Sequence, residues 1–161
     1  MKPAILDTDI LLDIHNGRPV RVQEHARRYR ETFSRYTITA LTVAELARGL
    51  VRQRDSSEWL DQILGQVEVL PLDATAARLA GQIYGVLEQT GQGIGWADCL
   101  IAGVALAQGR VLVTGNVRHF MRITAAGYTN CASKVRELPP SCRFPPLREG
   151  NQAARPRGSP C

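Results

Sequence analysis

The chain has 161 residues, enough for a single domain with a sizeable hydrophobic core. Hydrophobic residues make up 44% of it and charged residues 22%, which is typical of a folded globular protein and argues against a disordered chain. The sequence has neither an apolar run of membrane-spanning length nor an N-terminal secretory pattern, so we expect a cytoplasmic protein without a membrane partner. Its four cysteines form no C-x-x-C pair and lack zinc-site spacing, which argues against metal or redox motifs.

The formal net charge of +5 favours a polyanionic partner such as nucleic acid. Three of these five charges lie in residues 139–161, which carry four arginines and one glutamate. In the rest of the chain, residues 18–54 hold nine arginines against three glutamates. An arginine-rich surface of this kind suits a nuclease, although solvent-exposed helix faces also produce such runs.

Hydrophobic periodicity predicts strands that alternate with helices along the chain. Short apolar segments predict buried strands at residues 3–6, 36–39, 67–72 and 110–114. Helical patterns occupy residues 20–34, 41–54, 56–65, 73–90 and 97–108. Such alternation predicts an α/β fold in three layers, with a mostly parallel central sheet.

The composition changes near residue 138. Residues 139–161 are rich in Pro, Gly and Arg and have no hydrophobic period, which predicts a disordered tail. We therefore expect the folded domain to occupy residues 1–138.

The first predicted strand is followed at once by Asp7, and Asp9 comes two residues later. A carboxylate in this position can cap the helix that follows, because its oxygens accept hydrogen bonds from the unpaired N–H groups of the first turn. It can also belong to a functional site, because open α/β sheets place their sites at the carboxyl ends of their strands. The segment alone leaves both explanations open.

For two further acids, Glu45 and Asp98, a local role in the helix is no better supported than the capping role of Asp7. Glu45 lies three residues after Thr42, the spacing of a helix capping box, yet its neighbours four positions before and after are the uncharged Leu41 and Gly49. Asp98 is the only charged residue between positions 97 and 107, where the sequence is apolar on every side, as in a buried helix. It is either a first-turn acid favoured by the helix dipole or a functional carboxylate.

All these positions fall at one edge of a parallel sheet. Thr114 and Asn116 follow the last predicted strand as Asp7 follows the first, while Glu45 and Asp98 lie near the starts of helices. Carboxylates gathered in a partly apolar pocket repel one another unless a cation neutralises them. Oxygen ligands without His or Cys indicate a hard ion such as Mg²⁺ or Mn²⁺.

Four segments in this order resemble the PIN-domain ribonucleases, and among them the VapC-type toxins of bacterial toxin–antitoxin pairs. The segments are "ILDTDILLD", "LTVAELARG", "GWADCLIAGVALAQG" and "VLVTGNVRHF". The resemblance extends over about residues 3–124. It implies a compact α/β/α sandwich and an endoribonuclease toxin that hydrolyses RNA phosphodiester bonds, forms a homodimer and is neutralised by a cognate antitoxin.

The resemblance also implies roles for individual residues. Asp7, Glu45 and Asp98 are expected to hold Mg²⁺ or Mn²⁺, and Asn116 falls on the family's fourth position with the Thr114 hydroxyl beside it. The ion is expected to lower the pKa of a bound water for in-line attack on phosphorus, without a covalent nucleophile. Thr114 and Asn116 are expected to orient that water or the outer ligands.

Two features depart from the family pattern. Asp9 stands where the family more usually has Asn or Ser, and its extra charge can compensate for the neutral Asn116. The short strand that normally closes the domain falls on "ITAAGYTNCASKVRELPP", where Gly, Asn and Ser replace β-branched residues. This composition is unfavourable for a strand.

Arginines near the acids are candidates for contacts with RNA phosphates. The preferred candidates are Arg48 and Arg52, and the further candidates are Arg18, Arg27 and Arg28. The same side chains are suited to an acidic or C-terminal segment of an antitoxin. The sequence does not separate these two roles.

Two alternative functions remain open. A small-molecule phosphohydrolase would use Asp7 and Asp9 as a D-x-D pair, but it would also want a lysine near a later strand, and the only lysines are Lys2 and Lys134. A non-catalytic PIN-fold module would bind RNA or a partner without cleavage. Loss of acids would mark such a module, and this chain keeps three.

Overall fold

The computed structural model describes residues 3–53 and 57–128. Its strands are β1 (Ala4–Leu6), β2 (Tyr36–Thr39), β3 (Val67–Leu70) and β4 (Val111–Val113). Its helices are α1 (Thr8–His15), α2 (Val20–Thr32), α3 (Ala40–Gln53), α4 (Glu58–Leu64), α5 (Ala74–Gln89), α6 (Trp96–Ala107) and α7 (Val117–Ala125). None of the helices in these ranges is long and apolar enough to cross a membrane.

The four strands form one parallel sheet in the order β3-β2-β1-β4. The two central strands are therefore β2 and β1, and the chain leaves all four strands at the same edge. Within the sheet, Ile5 pairs with Leu112 of β4 and with Thr37 of β2. This parallel α/β arrangement confirms the predicted fold class.

Helices cover both faces of the sheet, so that successive residues of a strand enter different cores. Ile5 and Leu112 belong to a hydrophobic cluster with residues of α5, α6 and α7. Leu6 and Ile38 belong to a second cluster, with residues of α1, α2, α3 and α4. Burial on both faces explains why β1 and β4 are wholly apolar runs rather than alternating ones.

The predicted boundaries differ from the observed ones by at most two residues. Two observed helices have no predicted range: α1, which was expected after Asp7 without bounds, and α7, which was not predicted. The helix α7 is "VRHFMRITA", which includes the first three residues of the segment expected to hold a closing strand. The rest of that segment and the tail at 139–161 lie outside the described residues. The predicted domain boundary at residue 138 therefore stays a prediction.

Candidate metal centre

Asp7 and Thr114 lie side by side because they follow adjacent strands in register. Leu6 pairs with Val113, and the residue after each is Asp7 and Thr114. The Thr114 hydroxyl donates to Asp7 Oδ2 over 2.7 Å, and the backbone N–H of Asp7 donates to the Val113 carbonyl over 2.9 Å. The strand predicted at residues 110–114 therefore ends one residue early, at Val113. Thr114 lies just after β4, where its side chain fixes the carboxylate of Asp7.

Asp7 also caps α1, so the two explanations open at the sequence level are compatible. It is the N-cap residue, and its Oδ1 accepts a hydrogen bond of 2.8 Å from the Thr8 backbone N–H. Only 7% of the residue is exposed. A cap on a surface helix does not need such burial or a second partner, so capping alone does not account for Asp7.

Burial raises the pKa of the Asp7 carboxyl above its usual range. Hydrogen bonds from Thr114 and Thr8 oppose that rise, while the negative charges of Glu45 and Asp98 add to it. Among residues 3–53 and 57–128, no lysine or arginine forms an ion pair with any of the three acids. The one basic side chain near them in these ranges is His119, which lies beside Asp98.

Glu45 is held toward Asp7 by the residue that follows Asp7. The Thr8 hydroxyl donates a short hydrogen bond to Glu45 Oε2. The capping box considered for Glu45 does not form, because α3 begins at Ala40 and the Thr42 N–H donates instead to Thr39 Oγ1, over 3.2 Å. Glu45 therefore lies in the second turn of α3, where a capping role cannot explain it.

Asp98 lies in the first turn of α6, as expected of an acid near a helix N-terminus, but its carboxylate does not cap the helix. The N-cap residue is Gly95, which provides no side-chain bond. Asp98 Oδ2 instead lies 2.7 Å from Nδ1 of His119, on α7. The same ring nitrogen lies 2.8 Å from Asn116 Nδ2.

His119 is the residue of this site that the sequence analysis missed. It lies in the "VRHF" segment three residues after Asn116, a spacing that places both on one side of a first helical turn. Recognising "VRHF" as a helix that begins after Asn116 would have found it.

Both carboxylate oxygens of Asp9 accept hydrogen bonds from backbone N–H groups. Its Oδ1 accepts from the Ile10 N–H and its Oδ2 from the Gly115 N–H, both over 2.7 Å. Burial raises its pKa to about 7, and the charge of Asp7 contributes to the rise. A side chain at position 115 would press on this carboxylate, which explains the glycine there. Asp9 thus fastens the turn after β4 to the start of α1.

The acids are linked by hydrogen bonds through Thr8, Thr114 and His119 rather than packed around one point. Within the described part of the chain, no three His, Cys, Asp or Glu side chains stand close enough together to hold a metal ion. The donor types nevertheless suit a hard divalent cation, since they are three carboxylates and an amide, and no lysine or arginine among the described residues pairs with the carboxylates.

The candidate arginines are exposed, and two of them share a surface with Glu45. Arg48 and Arg52 follow Glu45 on α3 by three and seven positions, which places all three on one stripe of that helix. The other three are farther along the chain from the acids: Arg18 lies in the turn after α1, and Arg27 and Arg28 lie on α2.

The matches with known proteins agree with this geometry. A family model for the PIN domain matches residues 4–125. The chain belongs to the PIN domain family. Among curated PIN-domain relatives, the tRNA(fMet)-specific endonuclease VapC of Shigella flexneri is 33% identical over 76% of this chain and 93% of its own length.

Solved structures with the same PIN fold are toxin–antitoxin complexes. VapBC2 from Rickettsia felis, bound to a DNA fragment from its promoter, matches with a TM-score of 0.64 and 28% identity over 74% of this chain and 91% of the other. DNA-bound VapBC from Salmonella typhimurium matches with a TM-score of 0.63 and 33% identity over 76% and 93%. These relatives confirm the predicted resemblance to VapC-type ribonucleases and the predicted α/β/α fold.

Proposed function

We propose that this PIN-domain chain is an endoribonuclease toxin that hydrolyses RNA phosphodiester bonds with Mg²⁺ or Mn²⁺, and that a cognate antitoxin neutralises it. The observation that carries the proposal is the buried carboxylate of Asp7, which is coupled to Glu45 and Asp98 and has no basic partner among the described residues. The curated relatives named as VapC endonucleases support the same activity.

The proposed metal ligands are Asp7, Glu45 and Asp98. A divalent cation bound there supplies positive charge that acidifies a water molecule and polarises the phosphoryl group. The chain's own contribution is orientation. Thr114 and the Thr8 N–H fix the Asp7 carboxylate, and the Thr8 hydroxyl fixes Glu45.

Asn116 and Thr114 complete the proposed catalytic set without binding the ion directly. The Thr114 hydroxyl accepts from the backbone N–H of Asn116 over 2.9 Å, so the Thr114 side chain holds the Asn116 backbone at the end of β4. Their proposed role is to orient a water molecule or a phosphate oxygen beside Asp7. Nothing in this role requires a covalent nucleophile.

RNA is the proposed substrate, with Arg48 and Arg52 as phosphate contacts beside Glu45. Two relatives are named as tRNA(fMet)-specific endonucleases, so an initiator tRNA is the first substrate to assay. An antitoxin is the proposed protein partner because the structural relatives are toxin–antitoxin complexes. A homodimer in the cytoplasm completes the proposal.

The proposal is tested by cleavage of structured RNA with Mg²⁺ and with a chelator. Asp7→Asn should retain the helix cap, because Asn caps about as well as Asp. It should lower the cleavage rate about 100-fold or more, because it removes charge that binds an ion worth several kcal/mol in the transition state. The matched control is Glu68→Gln, which neutralises a carboxylate paired with Arg110 outside the site.

Chelator-resistant cleavage that survives in Asp7→Asn would contradict the proposal. Binding of RNA by the wild type without any cleavage would instead support the non-catalytic PIN-fold module. Formation of a phospho-aspartyl mimic with fluoride would support the small-molecule phosphohydrolase. The described residues do not favour the phosphohydrolase, because the second acid of its D-x-D pair, Asp9, uses both carboxylate oxygens to accept hydrogen bonds from backbone N–H groups.

A further inference from the structure

The imidazole of His119 lies between two residues of the candidate site. Its Nδ1 is 2.7 Å from Asp98 Oδ2 and 2.8 Å from the amide nitrogen of Asn116. The His119 side chain is 37% exposed and that of Asp98 is 20% exposed, so solvent reaches both only in part. One ring atom thus joins α6 to α7 at the edge of the sheet where the acids lie.

The hydrogen on this ring nitrogen is assigned by the two contacts. A carboxylate oxygen accepts only, so the 2.7 Å contact with Asp98 needs the proton on Nδ1. A protonated Nδ1 cannot also accept from the Asn116 amide. A half-turn of that amide exchanges its nitrogen for its oxygen, which can accept from the same proton. His119 then fixes both side chains with a single N–H.

Asp98 depends on this contact more than Asp7 depends on either of its partners. Asp7 has two donors, the Thr114 hydroxyl and the Thr8 N–H. Asp98 forms no capping bond at the start of α6, and within the described residues the only hydrogen-bond partner of its carboxylate is His119. Without the imidazole, the Asp98 carboxylate would be free to rotate among its side-chain conformers.

We propose that His119 is a positioning residue that holds the Asp98 carboxylate, and with it Asn116, in the orientation needed to bind the divalent cation. This inference rests on the proposed metal site. Residues that donate hydrogen bonds to metal ligands commonly change metal affinity by about 10–100-fold when they are removed. The effect arises through Asp98, since His119 itself binds neither the ion nor the RNA.

The test measures Mn²⁺ affinity by calorimetry and RNA cleavage in the same purified proteins. His119→Phe keeps the ring and removes the donor, and it should weaken Mn²⁺ binding about 10-fold or more. His119→Asn offers an amide N–H at the position of Nδ1 and should restore affinity to near the wild-type value. His119→Gln places its amide near the position of Nε2 instead and should bind as weakly as His119→Phe.

A matched control removes a histidine hydrogen bond elsewhere. His15 accepts from the Trp59 indole N–H over 2.7 Å, so His15→Phe loses a comparable bond without touching the acids. It should leave Mn²⁺ affinity unchanged. Cleavage at saturating Mn²⁺ should show a lower kcat in His119→Phe with little change in KM, because the substrate contacts are intact.

The possible outcomes separate this inference from the proposed function. Wild-type affinity in both His119→Phe and His119→Gln would overturn the positioning role while the metal site stands. Equal weakening in the Asn, Gln and Phe variants would also overturn it, because the loss would then not follow the Nδ1 donor. Absence of Mn²⁺ binding by the wild type would instead refute the proposed metal site. If His119→Phe fails to fold, the Mn²⁺ affinities of His119→Asn and His119→Gln test the inference: tighter binding by the Asn variant supports it, and equal binding overturns it.

Discussion

Replacement of Thr114 by valine tests whether the Asp7 carboxylate is held by the hydrogen bonds that the structure assigns to it. Valine has nearly the same shape, so the change removes one hydroxyl from a residue that is only 1% exposed. Two bonds are lost: the donation to Asp7 Oδ2 and the acceptance from the Asn116 N–H.

The loss in the free energy of unfolding follows from these two bonds. A hydrogen bond to a charged group contributes about 1.5–3 kcal/mol, and a buried donor left unpaired costs about 1–3 kcal/mol. Asn116 is only part-buried, so its N–H contributes at the lower end of that range. The metal-free Thr114→Val variant should therefore be about 2–4 kcal/mol less stable than the wild type at pH 8.

The loss should depend on pH in a defined direction. The folded-state pKa of Asp7 is raised above its unfolded value of about 3.9, mainly by burial. A raised carboxyl pKa gives stability that is present below the unfolded value and lost as the pH rises through the folded value. The Thr114 hydroxyl opposes the rise in pKa, so removing it enlarges the loss at pH 8 and matters less at low pH, where Asp7 is protonated.

Urea unfolding at pH 5 and pH 8 in the presence of chelator measures this difference. Thr124→Val is the matched control, because the Thr124 hydroxyl donates only to the Phe120 carbonyl in its own helix, over 3.3 Å. A destabilisation by Thr114→Val that is the same at both pH values, or no larger than that of the control, would refute the reasoning.

Three further predictions concern the turn after β4, the arginine stripe and the C-terminal tail. Gly115→Ala should lower the melting temperature because its methyl group meets the Asp9 carboxylate, whereas Gly49→Ala, with open space around it in α3, should raise it slightly; equal shifts would contradict this. Gln at both Arg48 and Arg52 should weaken RNA binding and flatten its dependence on salt, and an unchanged salt slope would remove these residues from the RNA contact. Truncation after Leu138 should leave the unfolding transition nearly unchanged, and a loss of several degrees would mean that the tail belongs to the folded domain.

The sheet and most helices were predictable because each element carries its own local pattern. β4 is a short β-branched run bounded by glycines, and α6 is apolar on every side, so their types follow from residues within one segment. The positions of Asp7 and Thr114 follow in turn, since adjacent parallel strands end at the same edge. This part of the candidate site is a consequence of strand order.

The remaining parts depend on contacts between segments or on where a helix begins. The capping box expected at Thr42 fails because α3 starts at Ala40, and the residue that caps it is Thr39, in the strand before. His119 and Asp98 are 21 positions apart in the chain, so no local sequence pattern predicts their contact. The hydrogen bond between Asp9 and the Gly115 N–H joins residues 106 positions apart, so local sequence does not predict it either.

The central claim, that the three acids form one metal site, is tested most directly by Mn²⁺ calorimetry on Glu45→Gln, Asp98→Asn and the double variant, with Glu68→Gln as the control. If both acids bind the same ion, each single change should weaken Mn²⁺ affinity at least ~10-fold. The loss of binding free energy in the double variant should be much smaller than the sum of the two single losses, because the effects of residues that share a ligand are not independent. Glu68→Gln should bind as the wild type does. Wild-type affinity in either single variant, or losses that add fully in the double variant, would contradict the account.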